Sequence, residues 1–508
     1  MSPRVALLHD LLDRAADRWP DRPAVTSGAH TVGYHELAEA TRRLTGWLYS
    51  CGLRRGDRLL VHAPGSTTLA ALVYAASRAG VAFSLLHEKT RDIQLQHVLD
   101  DCEPALLVTD DAEAAAAFRG QGVRAVSIDA VRALAFAAYG APGPEAVTRF
   151  PGPLAVDPVC LIYTSGTTAL PKAVVSTHQQ VVFAVDAIQR MLGYRSDDIV
   201  YCPLPLSFDY GLYQLFLAAH SGAHVWLGRP AEVGPRLLAN LVRAGATVLP
   251  AVPAIGDALA RLLSRSGGDR PALRLLTNTG AAMPAPTLRT LRTELPGLVV
   301  QLMFGLTECK RATVMPPDGD LDRPGSCGRA LPGTEVLIVD EEGRRRPPGE
   351  MGEIVVRGPH VMSGYWRRPE LTAQRFPRAD GLFPELRTGD YGWLDEADFL
   401  YFEGRRDDLY KENGFRVSAT EVEAAARRVT GVAEAACLPP GSGAAALLFT
   451  MGTRSPAEVL RGMREQIEEF KIPSRCVVLD ELPLTGNGKV DRKALAAIAK
   501  GAAGVRAD

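Results

Sequence analysis

YTSGTTALPKAVV, residues 163–175, follows the apolar run Val159-Cys160-Leu161-Ile162-Tyr163. Four hydroxyl residues (Thr164, Ser165, Thr167, Thr168), one glycine (Gly166) and one lysine (Lys172) crowd into this short loop. Hydroxyl donors, a close-approach glycine and a point charge are the parts of an anion-binding turn. The Walker A pattern is not met, because Pro171 stands at the second glycine position and Ala173 follows the lysine instead of Ser or Thr. The loop therefore does not read as that of a P-loop kinase or ATPase. Taken alone, it leaves a phosphate site and a Ser/Thr-rich surface turn both open.

Working outward, short apolar runs alternate with helical patterns through the first 400 residues. DRLLVHAP (57–64) precedes TTLAALVYAASRAG, and PALLVTDD (104–111) precedes AEAAAAFRG. AHVWLG, ATVLPA, LRLLTNTG and LVVQLMFG each end in small or turn residues. This alternation predicts an α/β fold with parallel sheets covered on both faces. Residues 134–158, rich in Ala, Pro and Gly, read as a surface connector. At 324–403 the texture changes, and GTEVLIVDEEGRRRPPGEMGEIVVRG predicts a two-stranded hairpin in a small β subdomain. Beyond Gly404-Arg405-Arg406-Asp407-Asp408, a helix (TEVEAAARRV), further strands and a last helix suggest a C-terminal domain over 404–508.

The bulk numbers narrow the class. In 508 residues, 57 Lys and Arg balance 58 Asp and Glu, which argues against nucleic acid as a partner. The eight cysteines (51, 102, 160, 202, 309, 327, 437, 476) are scattered without a CxxC pair, so a zinc site or disulfide framework is not expected and a reducing cytoplasm is. The N-terminal segment is amphipathic and charged, unlike a signal peptide, and no stretch approaches the roughly 20 apolar residues of a membrane span.

Five stretches then occur in order: TSGTTALPKAV (164–174), FGLTE (304–308), RTGD (387–390), GRRDDLYKENGFRV (404–417) and LPLTGNGKVDRKAL (482–495). The series resembles the adenylate-forming superfamily of acyl-CoA synthetases, non-ribosomal peptide adenylation domains and luciferase-like enzymes, over nearly the whole chain. The resemblance implies a large N-terminal domain (1–403) of two layered α/β subdomains plus a small β subdomain, and a small mobile α+β C-terminal domain (404–508). It implies ATP and Mg²⁺ as cofactors and attack of a carboxylate on the α-phosphate, followed by transfer of the acyl group to a thiol.

By the same resemblance, Thr164, Ser165, Gly166, Thr167, Thr168 and Lys172 would hold the departing phosphates. Thr307 and Glu308 would face the phosphates and the metal, a carboxylate being a suitable hard ligand. Phe304 and Gly280 would meet the nucleotide, Asp390 would accept from the ribose hydroxyls, and Arg405 would add a contact. Lys489, in the turn Gly486-Asn487-Gly488, would bridge carboxylate and α-phosphate, where a cation offsets developing charge. Asp407 would be the hinge and Gly414 part of the thiol-transfer face. Each residue alone has a plainer reading: Asp390 as a turn residue, Glu308 as a solvated acid, Lys489 as an exposed turn lysine. Two departures stand out. Ala169 and Ala173 replace glycines usual in this loop, and would be strained if their φ were positive. Leu85-Leu86-His87-Glu88 also departs from the family segment.

PLSFDYGLYQLF (205–216) resembles the peptide-synthetase segment whose aspartate pairs with the substrate's amino group, which puts Asp209 in that role. A helix cap is the alternative for Asp209. The acyl pocket would be lined by Asp209, Tyr210, Tyr213, Pro250, Thr277, Thr279, Met303, Lys310, Arg311 and Ala312. The basic pair Lys310-Arg311 could hold a second substrate carboxylate or form structural salt bridges, for example with Glu308. The pattern looks like standalone enzymes that load β-amino acids, some dicarboxylic, onto carrier proteins in polyketide macrolactam pathways. The expected function is thus activation of an amino acid, β-amino or acidic, and transfer to the phosphopantetheine thiol of a separate carrier protein. A fatty- or aryl-acid ligase using CoA or an acyl carrier protein is the alternative, and a non-catalytic binding protein is disfavoured by Lys172, Glu308, Asp390 and Lys489 being present together.

Overall fold

The computed structural model describes residues 5–88, 90, 92–120, 122–137, 151–164, 171–379, 383–405, 409–412, 415–440, 445–467, 469–485 and 490–503. The chain divides into two compact units, Met1–Val336 with Val356–Arg387, and Leu337–Val355 with Thr388–Asp508. This division differs from the boundary expected at 403/404. The second unit takes in most of the expected small β subdomain, because residues of the neighbouring strands Glu335–Val339, Gly352–Arg357, Phe383–Leu394 and Leu400–Arg405 pair side by side there.

The first unit is built on two sheets. In one, Pro23–Ser27, His224–Leu227, Ile199–Cys202, Val248–Ala251, Leu275–Asn278 and Val299–Phe304 run parallel in that spatial order. In the other, Pro158–Thr164, Ala82–Leu86, Arg58–His62, Leu106–Thr109 and Ala125–Ser127 are parallel neighbours. Strands such as Ala82–Leu86, Leu106–Thr109 and Val248–Ala251 are buried at every position, as a sheet covered on both faces requires. The expected strand–helix alternation is present: Arg58–His62 leads to helix Thr67–Ala79, and Leu106–Thr109 to helix Ala112–Gly120. Most of the expected connector 134–158 lies outside the described residues.

Two features position the site. The quoted loop joins Pro158–Thr164 to Lys172–Thr177 as an antiparallel pair, with Thr164 opposite Lys172. No helix begins at Lys172, so the loop differs from a P-loop in topology as well as in sequence. Helix Asp209–Ser221 is buried at every residue except His220, so its first residues, including a carboxylate, sit inside the protein.

The second unit carries the strands Val432–Leu438, Leu447–Gly452 and Arg475–Val478, with helices Ala419–Arg428, Pro456–Met463 and Arg492–Ala503. Ser418 starts helix Ala419–Arg428 by accepting from the Glu421 amide. No helix among the described residues is long and apolar enough to cross a membrane.

Several histidines of the first unit are buried and neutral. Burial, aided by Arg78, holds His9 at about 3. Burial, aided by His9, holds His178 at about 4, and burial alone does the same to His224 and His360. The unfolded chain would bind protons at these positions near pH 6.5, whereas the folded chain resists until about pH 4. Stability should therefore be full above pH 6.5 and fall as pH drops towards 4. A urea midpoint unchanged between pH 7 and pH 5 would contradict this reading.

Candidate active site

The carboxyl ends of the parallel strands Val248–Ala251, Leu275–Asn278 and Val299–Phe304 lie side by side, with Ala251 opposite Asn278 and Asn278 opposite Leu302. Such ends are where open α/β sheets bind ligands. Pro250, Thr277, Met303 and Phe304 lie on these strands, and Thr279 and Gly280 directly follow Leu275–Asn278. Thr277 and Thr279 are buried, and Phe304 and Gly280 are half-buried. The Tyr210 hydroxyl joins them, 2.8 Å from the Thr277 carbonyl and 2.6 Å from its hydroxyl.

After Phe304 the chain makes a tight loop, closed by the Ala312 amide donating to the Phe304 carbonyl at 2.9 Å. Gly305 is required there, since a Cβ would lie 2.2 Å from the Lys310 carbonyl oxygen. Lys310 has φ of 63°, an uncommon conformation for a side-chain-bearing residue. The loop turns its charged residues two ways. Glu308 is buried and its Oε1 accepts from the Tyr365 hydroxyl at 2.7 Å. Its second oxygen carries no hydrogen bond among the described residues. Thr307 is half-buried beside it. Tyr365 also underlies Lys172, whose Nζ stands 4.0 Å from the ring centroid. Glu308, Lys172 and Tyr365 are thus one cluster.

On the other side, Arg311 turns towards Asp209 and Lys310 towards the Tyr213 ring. Arg311 Nη1 lies 3.7 Å from Asp209 Oδ2, and the guanidinium stacks 4.5 Å from the Tyr210 ring centroid. Lys310 Nζ sits 5.7 Å from the Tyr213 centroid. Asp209, Lys310 and Arg311 are 4%, 1% and 5% exposed, so three charges are held almost dry. Among the described residues, Lys310 Nζ, Arg311 Nε and the Tyr213 hydroxyl have no hydrogen-bond partner. The expected bridge from the basic pair to Glu308 is not formed, because Glu308 is taken by Tyr365 and Arg311 by Asp209. Nor does Asp209 cap its helix: Phe208 holds the cap position, without a side-chain bond. Its carboxylate makes no hydrogen bond among the described residues.

Thr164 donates to the Lys172 carbonyl at 3.5 Å across the base of the phosphate loop. Ser165, Gly166, Thr167, Thr168 and Ala169 lie outside the described residues, as do Lys489, Asp407 and Gly414. Ala173 sits within the strand Lys172–Thr177, opposite Tyr163, without positive φ. The strain considered for alanine there is absent. In the second unit, Asp390 and Arg405 face each other across paired strands with Nε 3.3 Å from the carboxylate. Asp390 is buried, its amide donating to Thr388 Oγ1 at 3.0 Å.

Sequence reasoning missed Tyr365. Its Gly-Tyr-Trp setting carries no chemical signal, and only the fold brings it between Lys172 and Glu308.

A single hard carboxylate beside a lysine suits Mg²⁺, which is usually held by one or two carboxylates plus substrate phosphates. Among the described residues there is no cluster of three or more His, Cys, Asp or Glu that would suit a protein-caged metal. Lys172 beside the buried Glu308, and the buried Asp209–Arg311 pair, are compatible with a nucleotide-dependent, acid-activating ligase. The AMP-binding enzyme family matches residues 12–366 and its C-terminal domain matches residues 421–489, so the chain belongs to the AMP-binding enzymes. It is 32% identical to an L-proline–[L-prolyl-carrier protein] ligase of Streptomyces coelicolor, over 93% of each chain. Among solved structures it is similar to VinN, at 40% identity and TM-score 0.72 over 78% of this chain and 98% of that one, a protein also solved in complex with L-aspartate. It is also similar to the O-succinylbenzoate CoA synthetase of Bacillus subtilis in complex with ATP and magnesium, at 27% identity and TM-score 0.82 over 96% and 99%. The chain is an AMP-forming acid–thiol ligase.

Replacing Gly305 by alanine should displace the Lys310 carbonyl and with it both faces of the loop. A displacement on the 1 Å scale costs roughly 100-fold in rate. ATP–pyrophosphate exchange by Gly305→Ala should fall to that extent while the circular dichroism spectrum is kept. Wild-type exchange would show that the loop tolerates the added Cβ.

Proposed function

We propose that the protein activates an acidic amino acid with ATP and Mg²⁺ and loads the acyl group onto the phosphopantetheine thiol of a separate carrier protein. One observation carries the substrate reading: Arg311 faces the buried Asp209 carboxylate, Lys310 is buried against the Tyr213 ring, and among the described residues Lys310 Nζ has no hydrogen-bond partner. Asp209 suits the ammonium of an amino acid. Lys310 and Arg311 suit a second carboxylate. The side chains Asp209, Lys310 and Arg311 sum to one positive charge, which an amino dicarboxylate of net charge −1 neutralises. A neutral amino acid leaves a buried ammonium unpaired, which is costly. The likeness to VinN, solved with L-aspartate, and to a prolyl-carrier protein ligase supports an amino acid and a carrier over CoA.

In this reading Glu308 holds Mg²⁺ with Thr307 beside it, and the ion when bound offsets phosphate charge. Lys172 with Thr164, Ser165, Gly166, Thr167 and Thr168 receives the β- and γ-phosphates. Phe304 and Gly280 flank the adenine, and Asp390 accepts from the ribose with Arg405 as its partner. Tyr210, Tyr213, Thr279 and Met303 wall the acyl pocket and exclude water from the attacking carboxylate. That carboxylate forms a bond to the α-phosphorus as pyrophosphate leaves. Lys489 stabilises the charge passing between them. The family resemblance implies that Asp407 serves as hinge and Gly414 lies on the thiol-transfer face for the second step, in which the thiol takes the acyl group and AMP leaves. Eight free thiols fit a cytoplasmic setting.

A substrate panel in ATP–pyrophosphate exchange tests this. Aspartate-like acids should be activated best, and neutral amino acids and fatty or aryl acids poorly. Breaking a buried pair costs about 3–5 kcal/mol, so Asp209→Ala should abolish preference for amino substrates while AMP still binds. Lys310→Ala with Arg311→Ala should weaken acidic substrates more than neutral ones. Fatty or aryl acids being preferred, with Asp209→Ala inert, would instead mark an acyl ligase.

Lys489→Ala separates the half-reactions. Loss of one such contact costs about 3–4 kcal/mol in adenylate formation, whereas thioester formation from pre-made adenylate should be little changed. Equal losses in both steps would remove Lys489 from this role.

A further inference from the structure

Tyr365 belongs to none of the roles assigned so far, yet it touches both charged groups of the phosphate-handling cluster. Its hydroxyl donates to Glu308 Oε1 at 2.7 Å, and its ring lies 4.0 Å beneath Lys172 Nζ. The residue is 5% exposed, so both contacts are shielded from water. It is also held firmly. Gly364 and Tyr365 form a short strand paired with Val175 and Val174 of the strand that Lys172 begins. The Trp366 amide continues this pairing, donating to the Ala173 carbonyl at 2.9 Å. The Tyr365 amide donates to Thr372 Oγ1 at 2.9 Å, and the Phe376 ring meets the tyrosine edge-on at 5.6 Å. Gly364 is needed for the approach: its φ is 126°, and a Cβ there would lie 2.3 Å from Thr372 Cγ2. The same segment grips the Glu308 backbone, because the Met362 amide donates to the Glu308 carbonyl at 2.9 Å.

We propose that Tyr365 is a positioning residue that fixes the Glu308 carboxylate for Mg²⁺ and the Lys172 ammonium for the departing phosphates, so that one side chain sets the distance between metal and lysine. The hydroxyl occupies Oε1, so Oε2 would be the oxygen open to an ion. Outer-shell hydrogen bonds of this kind fix ligand orientation, and losing one typically costs 10- to 100-fold in metal affinity. The ring face attracts the ammonium by its quadrupole and holds it at a defined height. The proposal rests on Glu308 being the metal-facing carboxylate and is independent of which acid is activated.

The test compares Tyr365→Phe, Tyr365→Leu and Glu308→Gln in the full-length protein. Calorimetry measures ATP binding across a Mg²⁺ titration and AMP binding without metal, and exchange kinetics give the Mg²⁺ midpoint. Tyr365→Phe keeps the ring and its packing. It should raise the Mg²⁺ midpoint about 10-fold or more with metal-free AMP binding and the KM for the acid unchanged. Tyr365→Leu should also weaken metal-free pyrophosphate binding, because Lys172 loses its platform. A wild-type Mg²⁺ midpoint in Tyr365→Phe, beside a raised one in Glu308→Gln, would overturn the positioning role alone. A wild-type midpoint in Glu308→Gln would overturn the metal assignment beneath it. Loss of AMP binding in Tyr365→Phe equal to the loss of Mg²⁺-dependent ATP binding would reduce the tyrosine to a packing residue and overturn the proposal too.

Discussion

The closure of one loop, the Ala312 amide on the Phe304 carbonyl, governs the chemistry of the first unit. It fixes a turn at the carboxyl end of a buried parallel strand. Within that turn Glu308 and the pair Lys310-Arg311 leave the backbone in different directions, one towards Tyr365 and Lys172, the other towards Asp209. Without Gly305 the chain could not approach itself closely enough. Without positive φ at Lys310 the basic pair would follow a different course. A few residues thus join the Glu308–Tyr365–Lys172 cluster to the Asp209–Arg311 cluster, which the proposed function assigns to the phosphates and to the acid.

The acid side is expensive in the unliganded protein. Three nearly dry charges cannot all be neutralised by one another, and the Asp209 to Arg311 distance of 3.7 Å is long for a strong charge-assisted bond. Partial compensation comes from the surroundings. Asp209 lies in the first turn of its helix, where the dipole favours a negative group. The Tyr210 and Tyr213 rings present their faces to the two cations. These contacts lower the cost without saturating the groups. Among the described residues Lys310 Nζ stays unpartnered, and strain together with unsatisfied polarity at one place is what a ligand site looks like when the ligand's own charges complete it.

Much of this was legible in the sequence. The alternation of β-rich runs and helical patterns gave the parallel sheets, because strands buried on both faces must read as continuous apolar runs. The ordered motifs gave the family, and the expectation that Asp209 and Arg311 are neighbours agrees with their 3.7 Å separation. Other features depend on long-range pairing that no local pattern encodes. That the phosphate loop spans an antiparallel pair follows only from Thr164 meeting Lys172. The compact units meet at 336/337, 355/356 and 387/388, because sheet neighbours and not composition decide which strands cluster. Tyr365 was invisible for the same reason: it lies 193 positions from Lys172 and 57 from Glu308, and only the sheet brings them together.

Selectivity in such a pocket comes more from what is left unpaired than from what is bound. An apolar pocket distinguishes a missing methylene by only about 1–3 kcal/mol, whereas a site built around buried polar groups rejects a ligand that leaves them unsatisfied by far more. Here the unsatisfied groups are cationic and lie beyond the carboxylate that meets the amine. A neutral side chain entering the pocket would have to displace whatever water reaches Lys310 and Arg311 without replacing its hydrogen bonds. A fatty chain would add a buried Asp209 left without an ammonium. In the proposed reading the same three side chains would discriminate against two classes of competitor by separate penalties, one for each sign of charge. Both penalties are exacted when the acid enters the pocket, before any bond to phosphorus forms. Tyr365 and Glu308 can accordingly serve the phosphates without any part in choosing the acid.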